Sequence, residues 1–352
     1  MKNRLGFNDK NKIDSRCTFI VPTLNRPDYL RRLLGYYSRQ NMPWKICIAD
    51  SSDEKNSILN KKTVKSFPDL DVDYFGGFSK KLSNIEKMAR VMKHVKTKYS
   101  AIGADDDFTT IKGISKAVEF LDMHPDYSAA QGSYIRFYAK KDREGNAHFY
   151  WRKIYANKSI AASEAADRLK EHLSDYSPTF YAVQRTETLK LSLREIVKFT
   201  DDVDFAELLQ SLITLTYGKL KYIDDFYVAR ESIPDSAGAL KEGLYSYKKK
   251  GTYNSKYARF RKCLTKHLNN KSGMDMKKAE KVVDEAMAGY MNKHYNGVFM
   301  MVRSAMKDLS ITRAIRRVYG AIFIPERTDI PVYYDDLKEI RKHVLSRAEQ
   351  HL

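Results

Sequence analysis

Residues 17–37, CTFIVPTLNRPDYLRRLLGYY, decide the fold. A β-forming run stops at Pro22, a polar loop opens, and the residues from Asp28 to Gln40 then carry apolar side chains at helical spacing. The design recurs in KICIADSSDE (45–54), where an apolar strand from Ile46 to Ala49 runs into an acidic, hydroxyl-rich turn. Successive strand-loop-helix units predict an α/β fold with a mostly parallel sheet flanked by helices, whose ligands gather beyond the carboxyl ends of the strands. DVDYFGG (71–77) adds a strand and a glycine-rich turn, and a helical pattern follows from about Leu82 to Val95. KYSAIGADDDF (98–108) brings a fourth strand to an acidic stop, and the next helix ends at Pro125.

Farther along, 129–154 reads as an aromatic hairpin turning at Arg143 to Asn146, an excursion from the parallel core. A helix over 163–175 has Ser163 as its expected cap, SPTFYAVQRTETL (177–189) reads as strand and turn, and DDVDFAELLQSLITLTYGK (201–219) is a helix stopping at Gly218. The last strand is LKYIDDFYVARES (220–232). Beyond Pro234 the pattern turns to polar loops and basic helices, with 277–302 and 335–350 the clearest helices. Three segments are therefore expected: a polar lead over 1–15, an α/β domain over 16–240 and a basic helical region over 241–352.

With 352 residues, 43% of them hydrophobic, the chain has ample material for a core, which excludes a fibrous repeat or a disordered tail. Its net charge of +19 favours a polyanionic partner without choosing among nucleic acid, an anionic membrane and a phosphate-rich substrate. Cys17, Cys47 and Cys263 are too scattered for a disulfide framework, and no Cys/His cluster shows zinc-ligand spacing. No apolar run reaches the roughly 20 residues of a spanning helix and no signal peptide is evident, so a cytoplasmic protein is expected, with contact at the inner face of the cell membrane left open.

Asp105, Asp106 and Asp107 are the sharpest chemical feature. Three adjacent carboxylates repel one another unless a proton or cation intervenes, and at a strand end they suit Mg²⁺ or Mn²⁺ with sites left for phosphate oxygens. Asp105 and Asp107 are the preferred metal pair; the bland alternative is a solvated turn capping a helix. Pro22, Thr23, Asn25 and Arg26 at the first strand end, and Asp50 and Asp53 at the second, offer backbone, hydroxyl and carboxylate groups to a nucleotide. Turn chemistry alone would also explain them. Lys81 and Asn84 are further candidates for the same ligand, though exposed helix residues need no such role. Arg136, Trp151 and Arg152 offer basic and aromatic faces that suit sugars and phosphates, though they would equally make a good hairpin, and Tyr176, Ser177 and Pro178 lie in a candidate ligand-facing loop. His94, His124, His148 and His172 lack metal spacing. No dinucleotide or P-loop glycine motif is present.

The runs FIVPTLNRPDYLRRLL, ICIADSSD and IGADDDF, with Asn84 on the helix before the acidic strand, resemble the family 2 glycosyltransferases of A-type fold over residues 16 to 235. The resemblance implies a metal-dependent inverting transferase with the acidic triplet as metal region. That family also has an acidic pair opening a helix that ends at glycine, the second acid being the base. Counting back from Gly218 places Ala206 and Glu207 there, so Glu207 takes the base role, the first acid is replaced by alanine, and Asp204 is a rival. A later family position falls near Arg230, which would pair with diphosphate. The expected partners are a nucleotide-diphosphate sugar and a glycan or lipid-linked glycan, anionic or neutral. Two other readings stand beside this one: a nucleotidyltransferase making an activated sugar, and a basic nucleic-acid-binding protein supported by the charge and the run SKYARFRKCLTKHLNNK (255–271).

Overall fold

The structure is a computed structural model describing residues 14–141, 144–154, 158–233, 243–295 and 335–348. Strand β1 (Cys17–Thr23) leads into α1 (Pro27–Arg39), β2 (Lys45–Asp50) into α2 (Glu54–Lys65), and β3 (Val72–Phe75) into α3 (Asn84–Val91). β4 (Tyr99–Ile102), the short β5 (Phe108–Thr109) and α4 (Ile111–Met123) follow, then β6 (Tyr127–Lys141) and β7 (Ala147–Ile154). The remainder is α5 (Ala165–Ser174), β8 (Val183–Arg185), α6 (Thr186–Phe199), α7 (Val203–Tyr217), β9 (Lys219–Glu231), α8 (Leu244–Lys249), α9 (Tyr253–Ser272), α10 (Met276–Tyr295) and the helix Asp335–Ala348.

The sheet order is β3-β2-β1-β4-β8-β6-β9-β5, with β7 paired to β6. β3, β2, β1 and β4 run parallel, so their carboxyl ends share one edge. Alternation along the strands feeds two cores. Phe19, Val21, Ile46, Ile48, Tyr99 and Ala101 face α1 and α4, while Ile20, Cys47, Ala49 and Ile102 face Met88 and Val91 of α3 and Leu189 and Leu193 of α6. Strands buried on both faces explain why these segments read as continuous apolar runs.

Several expectations need correction. β6 is no excursion: its first half lies inside the sheet, antiparallel to β8 and parallel to β9, and only its second half pairs with β7. α3 is shorter than its sequence pattern, starting behind a capping box between Ser83 and Glu86 and ending at Val91. Ser163 does not cap α5, whose N-cap is Glu164. Helix α6 was hidden in a stretch read partly as turn, although Leu189, Leu193 and Ile196 have helical spacing. Gly218 does end α7, but in extended backbone; glycine is needed because a Cβ would sit 2.7 Å from the Ser128 backbone nitrogen.

The proposed boundary near residue 240 and the parts of the C-terminal region over 296–334 lie outside the described residues. The described C-terminal helices do not form one body. α8, α9 and α10 share a core with α5 and α7, through Phe205, Phe260, Cys263, Leu264 and Met287. The helix Asp335–Ala348 instead buries Leu337, Ile340 and Val344 in the core containing Phe137 and Trp151. Its His343 Nε2 lies 2.6 Å from the carbonyl oxygen of Arg32.

Gly103, between β4 and the acidic triplet, is held by packing. A Cβ there would lie 2.3 Å from Phe19 Cζ, and Phe19 is itself packed edge-on against Tyr37 at 5.4 Å. Gly103→Ala is expected to lower stability by roughly 1–3 kcal/mol through overpacking. Urea unfolding checks this; an unchanged midpoint would show that Phe19 yields freely.

Candidate functional site

The loops beyond β1, β2 and β4 are stitched together. Thr23, the last residue of β1, donates its hydroxyl to Asp105 Oδ2 at 2.7 Å. Arg26 reaches Asp106 at 2.9 Å and Asp105 at 3.3 Å. Asn25 sits in left-handed backbone, φ 53°, a conformation asparagine tolerates. From there its N–H donates to Ser52 Oγ at 2.7 Å and its side-chain oxygen accepts from the Asp53 N–H at 2.9 Å. Pro22 is a buried strand residue in register with Ala49.

The two acids of the second loop differ. Asp50 is buried and accepts from the Ser52 N–H at 2.7 Å, from Asn60 Nδ2 at 2.8 Å and from the Tyr74 hydroxyl. Asp53 is partly exposed and caps α2 through the Asn56 N–H, a hydrogen bond that holds its carboxyl below the usual range, and Lys80 lies 3.4 Å away. Lys81 and Asn84 are exposed, Asn84 opening α3. The third helix contributes Lys87 instead. Fully buried, it donates to the Thr23 carbonyl and to Ser51 Oγ, both at 2.9 Å, so one ammonium ties the ends of β1 and β2.

Lys87 escaped the sequence reading because a lysine in an amphipathic helix reads as solvent-facing, although it lies one turn before Val91 on the buried face. Burial lowers its pKa to about 8, against the attraction of Asp50 and Asp105. Between about pH 8 and 10.5 the unfolded chain therefore holds the proton more tightly than the folded chain, and the folded state gains stability as pH rises. Urea unfolding across that window is expected to show the wild type gaining on the order of 2 kcal/mol relative to Lys87→Met. Parallel curves for the two proteins would contradict the assignment.

The acidic triplet divides. Asp105 and Asp106 share Arg26, whereas Asp107 accepts from the Tyr181 hydroxyl at 2.7 Å, the Glu231 N–H at 2.9 Å and Arg230 Nε at 3.3 Å. Arg32, also unforeseen, lies across Tyr29 and Phe108, donates to the Asp106 carbonyl at 3.2 Å and pairs with Glu231. Burial, with the charge of Asp106, raises the Asp105 pKa to about 6; burial likewise raises that of Asp107, against the pull of Arg230. Oxygen donors crowded in a low-dielectric site suit a hard divalent cation. Among the described residues the three carboxylates of the triplet do not converge on one point.

On the far side, α7 carries both base candidates. Tyr176 donates to Glu207 Oε1 at 3.2 Å. Asp204 accepts from the Gly243 N–H at 3.0 Å and from Tyr247 at 3.2 Å, which places it in the seam where α8 docks. The loop from Tyr176 to Tyr181 bridges the two halves, since Thr179 bonds to Gln210 and Ser211 of α7 while Tyr181 reaches Asp107. Ser177 and Pro178 are buried within that loop.

Arg230 also begins a row. β9 and β6 pair Arg230 with Arg136, and β6 and β7 pair Arg136 with Arg152, so three arginines lie side by side on one face. Tyr138 and Tyr150 stack beside them at 5.0 Å, and Arg136, Arg152, both tyrosines and Ser232 line a small pocket. Trp151 lines that pocket as well, and it also packs into the core with Phe137 and Phe149. His172 is buried, and desolvation lowers its pKa to about 4.

No protein-family model matches the chain, and no curated protein matches it in sequence. Solved structures do share the fold. A crystal structure of S. aureus TarS is 13% identical with a TM-score of 0.50, covering 80% of this chain and 43% of that one. TarS 1–349 is 12% identical with a TM-score of 0.51, covering 95% of this chain and 82% of that one. Its complex with UDP-GlcNAc is 13% identical with a TM-score of 0.52, covering 79% and 73%. The chain thus spans less than half of the longer TarS chain. The central, mostly parallel sheet, its flanking helices and the helical C-terminal region are consistent with the A-type glycosyltransferase architecture. Among the described residues no helix is long and apolar enough to cross a membrane.

Proposed function

We propose that this protein is a metal-dependent inverting glycosyltransferase, moving a sugar from a nucleotide-diphosphate donor to a glycan or lipid-linked glycan. The observation that supports it most is the joining of three strand-end loops by the Thr23–Asp105, Arg26–Asp106 and Asn25–Ser52 hydrogen bonds. They form one polar ledge at the carboxyl edge of the parallel strands, where α/β sheets bind nucleotides. TarS 1–349, which shares the fold, has been crystallised in complex with UDP-GlcNAc, a nucleotide-diphosphate sugar.

In this reading Asn25, Arg26 and Asp53 contact the nucleotide, Asp50 and Lys87 fix the loops beneath it, and Arg230 faces the diphosphate. Asp105 and Asp107 would hold Mn²⁺ or Mg²⁺, which when bound neutralises charge on the departing nucleoside diphosphate. Glu207 takes the proton of the attacking acceptor hydroxyl, and one displacement inverts the sugar carbon. Asp204 serves the seam with α8 rather than the chemistry. The arginine row, whose Arg230 holds Asp107 at one end, suits an anionic acceptor because Arg136 and Arg152 bring positive charge to the lining of one small pocket. A lipid-linked acceptor would place the enzyme at the inner membrane surface.

Calorimetric titration of UDP, GDP and CDP with and without Mn²⁺ tests the donor site. One nucleotide should bind, more tightly with metal, and absence of all nucleoside diphosphate binding would refute the reading. Arg152→Glu is expected to raise the acceptor KM about tenfold or more while leaving donor affinity intact, as loss of a charge-assisted contact of at least 1.4 kcal/mol would do. An unchanged acceptor KM would remove the row from the acceptor path.

A further inference from the structure

A second chemical cluster lies between α6 and α9, away from the sheet edge. Glu195 of α6 and Cys263 and His267 of α9 are each at least nine-tenths buried, at 5%, 0% and 5% exposure. One ligand atom from each lies within 4.8 Å of the other two. Cys263 and His267 stand four residues apart, one helical turn, on the same face of α9.

The histidine is oriented and left with an unused nitrogen. Its Nδ1 lies 3.1 Å from the Tyr217 hydroxyl, while the buried Nε2 has no hydrogen-bond partner and faces Glu195 Oε2 at 3.7 Å, too far for a hydrogen bond. If Nδ1 carries the proton and donates to Tyr217, the Nε2 lone pair points at the cluster; outer partners orient metal-binding histidines in this way. Glu195 is divided similarly. Its Oε1 faces Arg194 at 3.3 Å and Lys198 at 3.6 Å, both largely exposed, leaving Oε2 inward. The bare imidazole nitrogen is short of a partner, and a buried inward carboxylate oxygen and a thiol lie beside it where a single cation would engage all three.

We propose that Glu195, Cys263 and His267 form a zinc site that fastens α9 to α6. One oxygen, one sulfur and one nitrogen ligand match the borderline character of Zn²⁺ and disfavour Mg²⁺ or Mn²⁺, and the fourth tetrahedral position is left to water. Binding releases the Cys263 thiol proton to solvent as the sulfur becomes a thiolate ligand. Because α9 also packs against α7, which carries Glu207, the metal would steady the support of that helix. The proposal is independent of the function assigned to the sheet edge, whose acidic triplet has no sulfur.

The test uses the full chain, stripped with a chelator and titrated with Co²⁺. About one equivalent should produce visible bands of tetrahedral cobalt with a near-ultraviolet thiolate-to-cobalt band, and Zn²⁺ should displace them. Cys263→Ser should lose the thiolate band and His267→Ala should weaken binding at least tenfold, whereas Asp107→Asn should retain the full spectrum. Zn²⁺ should also raise the melting temperature of the stripped wild type but not that of Glu195→Gln, a conservative variant that keeps the side-chain shape should the other two fail to fold. No cobalt spectrum in the wild type, or a thiolate band surviving in Cys263→Ser, would overturn the proposal.

Discussion

Glu207→Gln is expected to lower turnover about 10²- to 10⁴-fold, the range a positioned general base contributes, with donor affinity unchanged. The amide still accepts from the Tyr176 hydroxyl, so the loop and α7 should keep their places, and the loss would be one of proton acceptance. Asp204→Asn separates the two candidates. The Gly243 N–H and Tyr247 hydroxyl rest on Asp204, so that change should loosen the docking of α8, seen as lower stability, with a far smaller effect on turnover. Steady-state rates at saturating donor, beside urea unfolding, distinguish these outcomes. Turnover that collapses in Asp204→Asn and persists in Glu207→Gln would transfer the base role to Asp204.

Asp105→Asn should move activity and stability in different directions. Burial and the neighbouring Asp106 raise the Asp105 pKa to about 6, so the folded state binds the proton more tightly than the unfolded chain does. Stability tied to this group is thus present at low pH and is lost as pH rises from about 4 through 6. A neutral amide removes that penalty at pH 7, and the Thr23 hydroxyl can turn to accept from it while Arg26 keeps an oxygen partner. The folded state should be no less stable, yet metal-dependent turnover should fall by at least about 10²-fold, as when one preorganised charge-stabilising group is lost. Melting curves at pH 7 with Mn²⁺-dependent rates check both halves. A variant that melts well below the wild type but transfers sugar normally would make Asp105 a structural residue.

Much of the sheet edge was legible because parallel strands buried on both faces read as short apolar runs, each cut off by a turn at the ledge. Thr23, Asp50 and Asp105 follow directly from those breaks. Lys87 and Arg32 were not legible, because a cation within a helix carries no mark of burial and only the packing turns it inward. The arginine row depends on the pairing of β6 with β9, residues far apart in sequence, and that pairing includes register shifts no local pattern announces. The i, i+4 spacing of Cys263 and His267 stood in plain sequence but meant little without Glu195, which tertiary packing brings from α6. The helix Asp335–Ala348 was readable as a helix; its return to the core beside α1 was not.

The central claim is best tested by following nucleotide release from a panel of nucleotide-diphosphate sugars with Mn²⁺, Mg²⁺ or chelator. One donor should be consumed above all others, only with metal, and Asp107→Asn should abolish the signal. Release from no nucleotide sugar, or equal release from all with chelator present, would contradict a glycosyltransferase site at this sheet edge.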